Sequence, residues 1–167
     1  MCRLSSAFFQ QDALVLAPLF LGKKIHRKQG SLTSVYIITE VEVYRGEEDS
    51  ACHACKGRTA RTEMMYQAGG VLYVYLIYGM HWMLNIVTGP ADHPQAILIR
   101  GVEGVSGPGR VGKVLGVDKG FTGEPLCFSE RIWLEEGDAV LNYHTSPRIG
   151  IDYATEEFRL KPWRYTY

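Results

Sequence analysis

The sequence predicts an α+β fold: a curved, mostly antiparallel β-sheet with an open-barrel outline, short helices around it and a protruding β-hairpin. Three observations carry this expectation. Residues 33–44 form a long run of β-branched and aromatic residues. Two strand-length runs, 71–77 and 82–88, are joined by Tyr78-Gly79-Met80-His81, where Gly79 supplies a permissive turn position. Helical signals are confined to short stretches. No internal repeat or Pro/Ser-rich linker divides the 167 residues, so one domain, 1–167, is expected.

The elements follow in chain order. Asp12 suits an N-cap for an apolar helix over residues 13–21 with Gly22 at C′, although Pro18 inside it removes a backbone donor. Residues 23–28 read as a polar, basic connection, and Gln29-Gly30-Ser31 as a turn into the long strand. Strict alternation puts Val35, Ile37, Thr39, Val41 and Val43 on one face of that strand. Tyr36, Ile38, Glu40, Glu42 and Tyr44 then share the other. A polar connection follows, then a helical turn at 64–67 stopped by Gly69-Gly70. After the hairpin comes a third strand, 95–102, and Gly107-Pro108-Gly109 opens a short basic helix over 110–115. The C-terminal third holds an acidic stretch at Glu135, Glu136 and Asp138, then Arg148-Ile-Gly-Ile151 and a basic-aromatic end at 161–165.

Composition narrows the function. Eighteen Lys+Arg balance eighteen Asp+Glu, which argues against a generic polycation but leaves room for local basic faces. Four cysteines, at 2, 52, 55 and 127, do not form a secreted disulfide framework. No apolar run approaches the roughly 18 residues that span a bilayer, and the N-terminus lacks the apolar core of a signal peptide. The expected setting is intracellular, with no membrane partner.

Several residues could carry chemistry. Glu42 shares a face with Tyr44, so its carboxylate could act on a water or stabilise a developing cation from an aromatic setting. The plainer alternative is that Glu40 and Glu42 solvate an exposed sheet face. Tyr73 and Tyr75 alternate on one hairpin face and Tyr78 stands at its tip. Tyrosines there are ordinary strand formers or, equally, rings that stack on a base and a wedge that enters a minor groove. Cys52-x-x-Cys55 resembles half a zinc site, but Cys2 and Cys127 are isolated, so no metal is expected. His53 reads better as a pocket donor or stacking ring, or as a histidine satisfied within the fold. Arg110 and Lys113 behind Gly107-Pro108-Gly109 suit an anion without matching a P-loop. Lys56 with Arg58 and Arg61, and Lys161 with Arg164, are further basic clusters able to face phosphates or only solvent.

Read in order, Thr39-Glu-Val-Glu-Val-Tyr-Arg-Gly46, Ala51-Cys-His53, Arg58-Thr-Ala-Arg61, Gly70-Val-Leu-Tyr-Val-Tyr-Leu-Ile-Tyr-Gly-Met80, Asn85-Ile86, Ala96-Ile-Leu-Ile-Arg-Gly-Val-Glu103 and Gly107-Pro-Gly-Arg110 form a pattern. It closely resembles the alkyladenine (3-methyladenine) DNA glycosylase family, the single-domain kind of mammals and many bacteria, over nearly the whole chain. The resemblance implies a monofunctional N-glycosylase that needs no cofactor. It would flip out and excise alkylated or deaminated purines: 3-methyladenine, 7-methylguanine, hypoxanthine and ethenoadenine. By resemblance, Glu42 matches the carboxylate that activates water for attack on the sugar C1′, and Arg100 a pocket arginine that helps hold that water. Tyr44, His53 and Tyr75 match the side chains that enclose the flipped base. Asn85 matches a residue that crowds a purine 2-amino group. Tyr78, with Met80 beside it, matches the tip that intercalates into the duplex, and Arg58, Arg61, Arg110 and Lys113 remain the phosphate candidates. The implied partner is double-stranded DNA with a damaged purine, met by a monomer in a bacterial nucleoid or a eukaryotic nucleus.

The chemistry fits these residue types. An alkylated purine is cationic and its glycosidic bond already weak, while an ionised carboxylate favours the positive charge that develops on the sugar. An aromatic pocket and a plug suit base extrusion. Pro18 departs from the family pattern, as does the end at Tyr167, where the family continues with a short tail. Val43, Cys52 and Met83 are not fixed by the motif and bear on substrate range. Two other classes compete: a module that binds distorted DNA without cleaving it, and a zinc enzyme using Cys52, His53 and Cys55.

Overall fold

A computed structural model describes residues 2–167. Among these residues the elements run α1 (Ser6–Phe9), α2 (Ala13–Phe20), β1 (Lys24–Gln29), β2 (Leu32–Arg45), β3 (Leu72–Ile77), β4 (His81–Val87), β5 (Gln95–Val102), β6 (Val105–Ser106), α3 (Pro108–Leu115), β7 (Ile132–Glu135), β8 (His144–Ser146), α4 (Glu156–Leu160) and β9 (Arg164–Thr166). Short 3-10 turns lie at His53–Lys56, Glu63–Tyr66 and Lys119–Phe121. The strands pair antiparallel in the order β3-β4-β5-β2-β1-β7, with β6 on β5, β9 on β2 and β8 on β9. The sheet curls into a half-barrel with short helices against it, as the α+β expectation required.

The curl originates in β2. Its first half pairs with β1, from Leu32 opposite Gln29 to Ile37 opposite Lys24, while its second half pairs with β5. Register shifts between Ile38 and Val41 mark a bulge at the handover. A bulge inserts an extra residue and bends the strand. Here it also corrects the strict alternation. Ile38 joins the core with Val41 and Val43, all three fully buried, while Glu40, Glu42 and Tyr44 face the other way.

Residues 23–28 are not a connection but mostly β1. Its polar side chains hide a strand whose inner position, Ile25, is fully buried between Tyr36 and Leu134. Arg27, also largely buried, donates to the carbonyls of Leu115 and Gly116 with its guanidinium 4.8 Å above the Phe121 ring. Likewise Glu135 of the acidic stretch closes β7 and accepts from the Trp133 indole (2.9 Å).

Asp12 caps α2 as its side chain predicts: Oδ1 accepts from the Leu14 amide (2.9 Å), and Oδ2 binds Arg45 at the end of β2 (2.7 Å). The Gln95 side chain accepts from the Ala13 amide (2.6 Å), so α2 is pinned to the same sheet end as Arg45. Pro18 is accommodated inside the helix. Leu16 and Phe20 are fully buried in the main core, and burying each contributes roughly 1.5–3 kcal/mol.

Close approach of α3 to β4 depends on Gly112. A Cβ there would lie 2.0 Å from the Trp82 carbonyl oxygen, so only glycine permits this separation. The contact sets α3 beside the β3–β4 hairpin, with Gly109 against the His81 ring.

Candidate active site

Glu42 is the centre of a buried, hydrogen-bonded cluster. Its side chain is fully buried, which overturns the exposed-face reading. Oε1 accepts the Ile149 amide at 2.7 Å and lies 3.5 Å from Arg100 Nε; Oε2 accepts the Tyr44 hydroxyl at 2.9 Å. Burial pushes the Glu42 carboxyl above its ordinary range, while Arg100, the Ile149 amide, the Tyr44 hydroxyl and Arg148 pull it back. Tyr44 itself is held protonated: burial raises it well above its usual range, with Glu42 adding to the shift, so it serves as a donor.

Arg100 is shared. Its Nε donates to Glu40 at 3.0 Å, and Glu40 also accepts from Arg164 at 2.8 Å. Arg164 therefore belongs to the carboxylate network, not to a free basic edge.

A cavity of about 360 Å³ opens beside this cluster. Tyr44, His53, Tyr75, Asn85 and Arg100 all line it, as do Arg61 and Tyr78. Glu42 sits just behind the wall, and its partners Tyr44, Arg100 and Ile149 form the lining in front of it. The wall opposite the sheet was not expected from sequence. It comes from residues 149–151 and Tyr153, whose hydroxyl donates to the Ala51 carbonyl (3.0 Å).

The aromatic wall is tightly coupled. His53 lies 4.6 Å from Tyr75, ring centre to ring centre, at 66°, and its Nδ1 is hydrogen-bonded to the Tyr73 hydroxyl at 3.0 Å. Burial, then the Arg61 and Lys56 charges, lower the His53 pKa from 6.5 to about 4. The imidazole is therefore neutral at pH 7 and suited to stacking or edge contact. Asn85 is buried with its amide nitrogen committed to the carbonyls of Tyr73 (3.2 Å) and Met83 (3.3 Å), which fixes the side chain's orientation.

The low His53 pKa has a measurable consequence. The unfolded chain takes up a proton near pH 6.5 and the folded chain only near pH 4, so stability falls as pH drops through that window. The urea midpoint of His53→Asn is expected to be less pH-sensitive than wild type between pH 6.5 and 4. Parallel curves for the two proteins would contradict the assignment.

The hairpin tip stands clear of the body. Tyr78 and Met80 are 85% and 68% exposed, too open for core residues. The Met80 amide donates to the Ile77 carbonyl across a turn whose central residues, Tyr78 and Gly79, have φ of +53° and +65°. A primed turn requires this, and for a tyrosine it is strained.

The basic candidates separate. Arg61 lines the cavity, its guanidinium 5.9 Å from the Tyr75 ring. Arg58 is engaged by Glu63 and Asp92, both at 2.7 Å. Arg110 and Lys113 lie on the exposed side of α3, opposite Val111 and Leu115. Cys52 is buried with its thiol pushed up to about 12, and Cys55 is exposed, so the pair does not converge with His53. Among the described residues no three His, Cys, Asp or Glu side chains are grouped to hold a metal, and no helix is long and apolar enough to cross a membrane.

Beneath the site lies a pair that sequence reasoning missed. Arg148 and Asp49 form a fully buried ion pair with contacts of 2.6 and 2.8 Å. The segment at 148–151 was visible, but no local pattern connects residue 149 to residue 42.

Comparison with known proteins matches residues 7–167 to the methylpurine-DNA glycosylase family model. A candidate 3-methyladenine DNA glycosylase of Borreliella afzelii (strain PKo) is 44% identical, covering 95% of this chain and 92% of its own. Similarly named proteins of Desulfitobacterium hafniense (strain Y51) and Methanocella arvoryzae are 38% and 37% identical. They cover 99% and 95% of this chain, and 95% and 88% of their own.

Proposed function

The chain belongs to the methylpurine-DNA glycosylase family, DNA-repair hydrolases acting on the N-glycosyl bonds of damaged bases, and from that premise we propose how it works and on what. It is a monofunctional glycosylase acting as a monomer on duplex DNA. It flips out 3-methyladenine, 7-methylguanine, hypoxanthine or ethenoadenine and hydrolyses the bond to the sugar, beginning base excision repair.

One observation carries the reading: a buried carboxylate held by two hydrogen-bond donors and a neighbouring arginine directly behind an aromatic cavity. Glu42 takes a proton from water as the water oxygen bonds to C1′. The C1′–N bond breaks and its electron pair leaves with the base. The negative charge of Glu42 favours the positive charge on the sugar. Arg100 keeps Oε1 oriented and helps hold the water. Tyr44, His53 and Tyr75 enclose the base, and the fixed Asn85 amide crowds a 2-amino group, disfavouring guanine.

Tyr78 and Met80 fill the gap in the duplex, with the distortion offset by new contacts. Arg110 and Lys113, on the exposed side of α3, face the phosphates. Arg61 at the cavity meets the flipped nucleotide's phosphate, and Arg58 contributes by exchanging Glu63 and Asp92 for a phosphate. With a net charge of zero, non-specific affinity is modest and finding damage depends on bases that flip easily.

The deciding experiment incubates the protein with a hypoxanthine duplex and with methylated DNA, then detects abasic sites by alkaline cleavage. Release from either supports the reading. A folded protein that binds an abasic-site analogue but releases neither base is a binding module instead.

The strained tip gives a prediction of opposite signs. Replacing Tyr78 by glycine relieves a left-handed cost of about 1–2 kcal/mol against a glycine entropy cost of about 0.5–1, a net gain near 0.5 kcal/mol. The same change weakens binding to damaged duplex. Unaltered affinity would remove Tyr78 from the inserting role.

A further inference from the structure

Arg148 and Asp49 sit where the end of β2, the start of the connection at Ala51 and the C-terminal segments around α4 meet. Asp49 Oδ1 accepts from the Ala51 amide (3.0 Å) and Arg148 Nη2 (2.8 Å); Oδ2 accepts from the Arg45 amide (3.1 Å) and Arg148 Nη1 (2.6 Å). Arg148 also donates to the Val43 carbonyl (2.9 Å), on the strand between Glu42 and Tyr44, and to the Phe158 carbonyl of α4 (3.2 Å). Its guanidinium lies 4.8 Å from the Tyr44 ring centre and 5.0 Å from that of Trp163.

An ion pair taken wholly out of water gains little net stability, because desolvation cancels much of the attraction. Here the cost is not even fully met, since Arg148 Nε is buried without a hydrogen-bond partner among the described residues. What such a pair supplies is direction. The peptide following Arg148 carries the Ile149 amide, and the ring under its guanidinium is Tyr44. These groups supply the two hydrogen bonds that Glu42 accepts.

We propose that Arg148 and Asp49 are a positioning pair that holds the Ile149 amide and the Tyr44 ring against the Glu42 carboxylate. Asp49 ties that arrangement to the cavity wall at Ala51. The proposal rests on reading Glu42 as the group that activates water. Neither Arg148 nor Asp49 lines the cavity, so both act through other residues.

The charged and titratable surroundings of Glu42 give the expected pH signature. On β2 these are Glu40 and Tyr44; β5 brings Arg100, β3 brings Tyr75, and the 148–151 segment brings Arg148. From β9, Arg164 acts through Glu40. Loss of the Arg148 charge and displacement of the Ile149 amide both remove influences that lower the Glu42 pKa. The acidic limb of the rate profile then moves to higher pH.

The test compares single-turnover excision of hypoxanthine from duplex DNA across pH for wild type, Glu42→Gln, Arg148→Lys and the double variant Asp49→Asn/Arg148→Gln. The double variant keeps a neutral hydrogen-bonding pair. It is expected to bind duplex normally, to lose about 10–100-fold in rate and to show the acidic limb shifted upward. Arg148→Lys, which retains the charge, is expected to lose rate with a smaller shift. Rates and limbs equal to wild type in both would overturn the proposal. So would unfolding of both, which would make the pair a stability element. If Glu42→Gln retains the wild-type rate, the reading of Glu42 fails first, and the proposal with it.

Discussion

Glu42→Gln is expected to lower the rate of base release by about 10²–10⁴-fold, the range a positioned general base contributes. Affinity for damaged duplex is expected to stay unchanged. The amide is nearly isosteric, and the surrounding donors tolerate it. Its oxygen can still accept the Ile149 amide, while the Tyr44 hydroxyl can turn to accept from the new NH₂ group. Neither nearby cation is orphaned, since Arg100 keeps Glu40 and Arg148 keeps Asp49. The variant therefore separates chemistry from folding and from binding. Single-turnover cleavage on a hypoxanthine duplex measures the first, and titration with an abasic-site analogue the last. A rate within a few-fold of wild type would exclude Glu42 as the base.

Gly112→Val is expected to cost about 3 kcal/mol, the upper part of the usual overpacking range. The first side-chain atom would meet a backbone oxygen, Trp82 O, at 2.0 Å. Backbone cannot rotate aside as a side chain can, so α3 and β4 must separate. For a chain of this size the loss corresponds to a fall of about 6–12 °C in melting temperature. It should also reach the site, because β4 carries Met83 and Asn85, and α3 carries Pro108, all on the cavity wall. Base release should therefore fall even where the variant remains folded. Calorimetry and the cleavage assay at a temperature below both transitions check the two parts. A melting temperature unchanged within a degree would refute the close-packing account.

Much of this site could be read along the chain because many of its residues are concentrated on β2 and one hairpin. Glu42 and Tyr44 lie two residues apart on β2, and pairing within one hairpin brings Tyr75 opposite Met83 and Tyr73 opposite Asn85. Period-two alternation places such neighbours without any knowledge of the rest. The same rule misled at Ile38, because one inserted residue inverts every facing beyond it. It also could not recognise β1, whose polar residues pair with β2 and β7 through their backbones. The basic clusters mixed two kinds of residue. Arg164 and Arg58 are engaged by carboxylates, whereas Arg61 turns to the cavity, and composition does not distinguish them.

The sequence by itself determined the α+β class, the capped helix after Asp12, the hairpin with Tyr78 at its tip and the carboxylate beside its tyrosine. Each follows from local preference or from spacing within one element. Only the tertiary structure decided that Glu42 is buried, that Ile149 and Arg100 hold it, and that Arg148 and Asp49 stand behind them. Those contacts join residues as far apart as 107 positions. Their energies come from desolvation and charge pairing in a shared interior, which exists only after the sheet has curled.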